Sequence, residues 1–113
     1  MPSRLEKRKL DKFRSGFVAA ADRGVKKTAD DVKEERDDLV HEISGDLKES
    51  GRVVPVETLH WEVREGEDLP DARASYEEYG TDKHDPHPHM TPAAENNRPN
   101  LPKNIKREIR GLL

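Results

Sequence analysis

Apolar residues in the first third of the chain recur mainly at intervals of three and four. They are Leu10, Phe13, Phe17, Ala20, Ala21, Val25, Ala29, Val32, Leu39, Val40 and Ile43. This spacing places them along one side of a helix, so we predict a single long helix over residues 1–43. Ser3 and Glu6 have the spacing of a capping box at its start. A helix of that length measures about 60 Å, and Gly16 and Gly24 are the positions where a bend or break is expected.

The middle of the chain changes to the alternating pattern of strands. RVVPVE (residues 52–57) and TLHWEVRE (58–65) read as two strands, and ARASYEEY (72–79) reads as a third extended run. Pro55 has no backbone N–H to donate, which places the first strand at an edge or a bulge. We therefore predict a small antiparallel sheet over residues 52–80.

A proline-rich segment and a short helix complete the pattern. Gly80 is suited to a positive φ at the end of the third extended run. Residues 81–100 are predicted to form an extended arm, with a short helix in which Thr91 is the N-cap. The tail, residues 101–113, has the apolar spacing of a C-terminal helix. The predicted fold class is α+β, in one domain of 113 residues.

Composition indicates that the isolated chain has little material for a core. Leu, Ile, Val and Phe number 22 of 113 residues, while 40% of residues are charged and the net charge is −3. Such a chain is marginal as a monomer, and we expect neighbouring subunits to complete its core. There is no cysteine, no apolar run of membrane-spanning length and no secretory signal pattern. We therefore expect a soluble, membrane-free protein of a cytoplasm or of a particle assembled there.

Charge is segregated along the chain. Residues 1–28 carry a net charge of +6, residues 29–51 carry −6, residues 52–96 carry −7, and the remaining tail carries +4. The long helix thus begins with bases and ends with acids, which is opposite to what the helix dipole favours. A basic end and an acidic middle allow copies of the chain to pair head to tail, or the basic end to contact a nucleic acid.

Chemistry of an enzyme is not indicated. The sequence has no GxSxG, no phosphate-binding loop, no cysteine nucleophile and no HExxH. His84, His87 and His89 lie close together with two aspartates, but Pro86 and Pro88 direct successive side chains apart. We therefore predict no catalytic residues, no metal site and no cofactor. The alternative of a small nucleic-acid-binding regulator depends on the basic N-terminal helix, although aromatic residues for base stacking are scarce.

Three segments together resemble a known group. Ser44–Ser50 resembles an [ST]-G-x-L-x-x-S segment, Tyr76–Thr81 a strand end of the form (V/E)-E-(F/Y)-G-T, and Pro88–Ala93 a P-F-(L/M)-x-P-A segment. Their order and spacing are similar to those of the tail-completion, or neck, proteins of long-tailed phages and related viruses. His89 departs from the pattern, because it stands where the group usually has phenylalanine, and the usual proline-rich approach to the first segment is missing.

The resemblance implies a structural protein of the virion, located at the head–tail junction and assembled in the host cytoplasm. It would form a closed ring, matching the sixfold symmetry of tails, between head-connector and tail-terminator proteins, with DNA in the lumen. Subunit or partner contacts are expected from the turn and the arm, at Tyr76, Tyr79, Gly80, Thr81, Pro88, His89, Met90 and Pro92. A tail-terminator or head-closure ring shares this location and remains a further alternative.

Overall fold

A computed structural model of the chain describes residues 3–40, 45–67, 69, 73–82 and 85–113, without the side chains of residues 73 and 76. Helix α1 spans Arg4–Leu39 and the single turn α2 spans Asp46–Glu49. Strands β1 (Arg52–Glu57) and β2 (His60–Arg64) follow. Helices α3 (Arg73–Tyr79), α4 (Met90–Asn97) and α5 (Asn100–Arg110) complete the order. The predicted α+β class is confirmed.

Helix α1 is one unbroken element of 36 residues, about 54 Å long. The predicted capping box is present: the Ser3 hydroxyl accepts the Glu6 N–H at 3.2 Å, and the Glu6 carboxylate accepts the Ser3 N–H at 3.3 Å. The helix passes through Gly16 and Gly24 without a break. It ends at Leu39, earlier than the predicted residue 43, because Val40 is extended; residues 41–44 lie outside the described residues.

Strands β1 and β2 form an antiparallel hairpin in which Val53 pairs with Val63 and Pro55 with Trp61. The register shifts between Pro55 and Glu57, so the prediction of an edge or bulge position for this proline is confirmed. The second strand is shorter than predicted. Thr58 and Leu59 form the turn between the strands, and Leu59 has a φ of 64°.

The third extended run predicted over residues 72–79 is wrong, because Arg73–Tyr79 is helical. Alanine and glutamate are among the better helix formers, and the sheet of the described residues consists of β1 and β2 alone. Gly80 has the predicted positive φ, 76°, but it follows the end of a helix rather than a strand. A left-handed residue after the last turn is a common helix terminator.

The predicted extended arm over residues 81–100 is correct only in part. Residues 85–89 have no regular structure, whereas Met90–Asn97 forms α4, so the helix is longer than expected. It also starts one residue before Thr91, which is therefore not the N-cap. The predicted C-terminal helix is confirmed as α5, with Pro102 in its first turn.

Small residues on α1 allow other elements to approach closely. Ala20, Ala21 and Ala29 of this helix are buried, as is Ala93 of α4. Gly24 lies against α5 so tightly that a Cβ there would be 2.6 Å from the Ile105 Cα. Because the core occupies only the middle and C-terminal part of α1, the molecule is elongated, measuring 68 × 26 × 20 Å.

The direction of α5 and the position of the hairpin follow from polar contacts with α1. Asn104 donates to Asp31 at 3.1 Å, whereas Glu108, one turn later, pairs with Arg23 at 3.1 Å. Helix α5 therefore runs antiparallel to α1. Asp22 holds the hairpin, since its carboxylate accepts the Leu59 backbone N–H at 2.8 Å and the Trp61 indole N–H at 3.0 Å.

Candidate functional site

A buried guanidinium lies where α1, α2 and the end of the hairpin meet. The Arg36 side chain is fully buried and has five N–H donors. Nε and Nη2 donate to Glu65 Oε2 at 2.9 and 2.8 Å, and Nη1 donates to Asp37 at 2.7 Å and to the Lys48 carbonyl at 2.7 Å. Nη2 also donates to the Leu47 carbonyl. Every donor therefore has an acceptor, which is the condition under which a buried charge is tolerated.

His89 completes this arrangement from the arm that precedes α4. Its Nε2 lies 2.8 Å from both Glu65 carboxylate oxygens, and its Nδ1 lies 3.2 Å from the His87 carbonyl. A carbonyl and a carboxylate can only accept, so both ring nitrogens must donate. This geometry favours the imidazolium form. We call Arg36, Glu65, Glu78 and His89 the buried charged cluster.

Glu78 contributes to the cluster by capping α4. Its Oε2 accepts the backbone N–H of His89 at 3.0 Å, and its Oε1 accepts those of Met90 and Thr91 at 2.8 and 3.0 Å. These are donors that a helix cannot satisfy internally, and a carboxylate beside them is also favoured by the helix dipole. The side chain that caps α4 is therefore supplied by α3 and not by Thr91.

The cluster shifts the protonation of its own members. Burial alone lowers the pKa of His89, but the hydrogen bonds to Glu65 and to the His87 carbonyl outweigh it and raise that pKa above its ordinary value. Burial alone raises the pKa of Glu65, but hydrogen bonds from His89 and Arg36 outweigh it and lower that pKa. Both shifts stabilise the charged forms, in which the Glu65 carboxylate lies between Arg36 and His89.

The cluster fastens the arm to its own chain. The His87 N–H also donates to the Glu77 carbonyl at 2.6 Å, so the segment before α4 is held along α3. His89 is fully buried and is therefore part of the chain's interior, not of an exposed docking surface as its place in the sequence motif suggested.

The other residues predicted to contact a partner lie at or near the surface around this anchored segment. Tyr79 is 77% exposed, and Thr81 and Pro88 are also exposed. Gly80, Met90 and Pro92 are half-buried. The side chain of Tyr76 lies outside the described part of the structure. The structure thus places the turn and the arm side by side, and their role in partner contacts stays a prediction.

Sequence reasoning missed the residues that hold the arm. Arg36, Glu65 and Glu78 stand among many other charged residues, and no motif singles them out. The only available signal was a histidine in a position where phenylalanine was expected, because a polar ring in a packed position needs acceptors. Its partners, however, lie 24 and 11 residues away along the chain.

A second feature is an apolar stripe on the N-terminal half of α1. Leu10, Phe13 and Phe17 are 47%, 55% and 42% exposed, and the two phenylalanine rings lie 6.4 Å apart. Phe17 precedes Gly24 by seven residues, or two helical turns, so it lies on the face that packs against Ile105 of α5. The apolar stripe of α1, defined as these three residues, is thus the continuation of a packed face beyond the end of α5.

The described residues contain neither a metal-binding group of side chains nor a membrane-spanning helix. In the part of the chain that the structure describes, no three His, Cys, Asp or Glu side chains are grouped so as to hold a metal ion; His84 lies outside it. No helix among the described residues has the length and apolar character needed to cross a membrane. Within the buried charged cluster, Arg36 and His89 are fully buried in the interior.

No protein-family model, no curated protein and no solved structure matches this chain significantly.

Proposed function

We propose that the protein is a virion structural component of the neck of a long-tailed virus, where it forms a ring that completes the tail and joins it to the head connector. Its role would be assembly and not catalysis. Two kinds of support exist: the resemblance of three segments, Ser44–Ser50, Tyr76–Thr81 and Pro88–Ala93, to neck proteins, and the surface of α1. The sixfold ring and its neighbours rest on the resemblance alone.

The apolar stripe of α1 is the observation that carries the assembly part of the proposal. Leu10, Phe13 and Phe17 form a continuous row at spacings of three and four, the arrangement that packs against another element. Within this chain α5 packs against that face around Gly24, while Leu10, Phe13 and Phe17 stay between 42% and 55% exposed. The occupant we propose for the remainder is a second copy of the chain.

Charge argues for a head-to-tail contact and against a two-fold one. The N-terminal half of α1 carries Arg4, Lys7, Arg8, Lys9, Lys12 and Arg14 around the stripe. Two such halves facing each other would repel, whereas the acidic groove lined by Asp31, Glu34, Glu35 and Asp38, with a volume of about 300 Å³, has the complementary sign. Heterologous contacts of this kind close into rings when the rotation between copies allows it.

The assembly contact is tested by the double variant Phe13→Ser, Phe17→Ser, with Val56→Ser, Leu113→Ser as the matched control. The control removes exposed apolar surface of similar kind, since Val56 is 44% and Leu113 is 87% exposed. We expect the wild-type protein and the control to form oligomers in mass photometry and light scattering, and the phenylalanine variant to remain monomeric. The self-association proposal is wrong if the wild-type protein is a monomer at all accessible concentrations, or if both variants associate equally.

The location at the neck needs a separate experiment, which is electron microscopy of lysates from a virus lacking the gene. DNA-filled heads beside separate, complete-looking tails would support the neck assignment. Intact particles with normal tails would remove the protein from the joining step. If the protein self-associates but the virus lacking its gene still forms intact particles, the contact between copies is supported and the location at the neck is refuted.

A further inference from the structure

The outer face of α5 consists of cations from Lys103 onward. Lys103, Lys106, Arg107 and Arg110 are the exposed residues between positions 103 and 110, whereas the remaining residues of this stretch are buried or half-buried towards α1. The four have spacings of three, four and seven residues, so they form one row along the helix. They line a shallow groove of about 320 Å³. We call these four residues the basic row of α5.

The basic row has no acidic partner among the described ion pairs. Glu108, the only acid in α5, points away and pairs with Arg23 at 3.1 Å. Like charges three and four residues apart destabilise a helix. The helix dipole offsets this repulsion only for Arg107 and Arg110 in the last turn. Such a row is therefore more stable with an external anion along it than without one.

The packing of α5 also explains how an acidic protein presents a positive surface. Because α5 runs antiparallel to α1, its C-terminal end lies towards the basic N-terminal half of that helix. The two segments with positive net charge, residues 1–28 and 97–113, therefore point to the same end of the elongated molecule. The acidic groove of α1 lies towards the opposite end, near Asn97 and Asn100. Although the net charge is −3, positive charge is thus concentrated towards one end of the long axis and negative charge towards the other.

We propose that the basic row of α5 binds the phosphate backbone of a nucleic acid. Regularly spaced cations along one helix fit a regularly charged polymer, and residues 98–113 contain no aromatic side chain for base stacking. Binding is thus expected to be independent of base sequence and strongly dependent on salt. This contact would be a property of the monomer, so it does not depend on ring formation or on the neck location.

The test is a fluorescence-anisotropy titration of a short labelled DNA duplex of arbitrary sequence, repeated at several salt concentrations. Four phosphate contacts predict a slope of log K against log[salt] of about −3.6. The variant Lys103→Gln, Lys106→Gln, Arg107→Gln, Arg110→Gln should bind about 100-fold more weakly at low salt. Lys106→Gln alone should reduce the slope by about 0.9.

The matched control removes four cations that already have partners, through Lys26→Gln, Lys27→Gln, Lys33→Gln and Arg52→Gln. Each of these side chains lies within 3.1 Å of an acid of the same chain, and the change in net charge equals that of the α5 variant. We expect this control to keep most of the affinity. Thermal melts followed by circular dichroism check that both variants fold; Lys103→Arg, Lys106→Arg retains the charges and should retain binding.

A third variant separates the basic row from the N-terminal half of α1. The change Arg4→Gln, Lys7→Gln, Arg8→Gln, Lys12→Gln should weaken binding less than the α5 variant does. The proposal is overturned if the wild-type protein shows no salt-dependent binding, if the α5 variant binds as well as the paired-cation control, or if only the α1 variant loses binding. It is also overturned if the α5 variant alters self-association and leaves DNA binding unchanged, since the row would then bind an acidic protein surface.

The two proposals fail separately. Phe13→Ser, Phe17→Ser leaves the basic row intact, so this variant should lose assembly but still bind a short duplex as a monomer. The α5 variant leaves the apolar stripe intact, so it should still assemble.

Discussion

Removing the buried guanidinium should be among the most damaging single changes in this chain. In Arg36→Met the side chain keeps the apolar stem up to about the position of Nε, but the five hydrogen bonds to Glu65, Asp37, Leu47 and Lys48 are lost. The Leu47 and Lys48 carbonyls lose a donor in a buried place, and Glu65 keeps only His89 as a cationic partner. Breaking a buried ion pair in this way typically costs about 3–5 kcal/mol, a large fraction of the total stability of a small domain.

The assay is urea unfolding followed by circular dichroism, with Arg23→Met as the control in the same helix. The Arg23 side chain is 54% exposed and pairs with Glu108, so its loss should cost at most about 1 kcal/mol. With a urea m-value of about 2 kcal/mol per M, the Arg36→Met midpoint should fall by roughly 2 M and the control by roughly 0.5 M or less. Equal shifts for the two variants would refute the reasoning that the guanidinium holds the interior together.

A second variant tests the same contact without removing the arginine. A Cβ on Gly51 would lie 2.7 Å from the Arg36 Cζ, so Gly51→Ala must displace the guanidinium or the turn. Its midpoint should shift in the same direction as that of Arg36→Met. In the double variant with Arg36→Met the two effects should not add, because the methionine no longer places a guanidinium against the new methyl group.

Two further predictions concern helix packing and pH. Gly24→Ala should lower the free energy of unfolding by about 1–3 kcal/mol, and with it the melting temperature, because the new Cβ would lie 2.6 Å from the Ile105 Cα. Gly16→Ala, where no atom lies within 4 Å, should raise the free energy of unfolding by about 0.5–1 kcal/mol. Thermal melts that move both variants in the same direction would contradict this assignment. For pH, the raised pKa of His89 means that its contribution is fully present below the ordinary histidine value and is lost as pH rises through the folded-state value. The lowered pKa of Glu65 means that its contribution is present above the ordinary glutamate value and is lost as pH falls through the folded-state value. The free energy of unfolding should therefore have a plateau between these limits, and His89→Gln should flatten its alkaline side; an alkaline side identical to that of the wild-type protein would exclude the imidazolium.

The parts of the fold that were predicted correctly are those encoded locally. The apolar period of α1, the pairing of Ser3 with Glu6 and the position of Pro55 each depend on residues within a few positions of one another. The positive φ of Gly80 is of the same kind, since it follows from the backbone freedom of one residue. Propensity and periodicity suffice for such features.

The error at α3 has a physical origin. ARASYEEY contains two aromatic residues at a spacing of three and a serine, a composition that both helices and edge strands accept. The choice was decided by tertiary structure. As a helix, this segment places Glu78 where it can cap α4, and as a strand it would have needed a partner edge that the two-stranded hairpin does not supply in the described residues. Local pattern alone does not contain this information.

The buried charged cluster could not be predicted for a related reason. Arg36, Glu65 and His89 come from three separate elements, and each stands in a stretch where charged residues are common. In a chain with 40% charged residues, the sequence does not distinguish the few charged residues that are buried from the many that are solvated. Burial of Arg36 requires Gly51, whose missing side chain leaves the space that the guanidinium fills. Only the three-dimensional path of the chain brings Arg36, Glu65 and His89 together beside Gly51.

The cluster and the exposed surfaces have complementary roles in a chain with so few large apolar residues. The buried residues include four alanines, Val40, Leu47 and charged groups that satisfy one another, whereas Leu10, Phe13 and Phe17 stay exposed and do not form the monomer's own core. A sequence selected only to stabilise a monomer would have placed these side chains inside, where each is worth about 1.5–3 kcal/mol. The proposed contact with a second copy would bury these side chains, which lie on the projecting half of α1 beside several cations. Because α5 returns antiparallel to α1, the basic row lies towards the same end of the molecule, where we propose that it binds a polyanion.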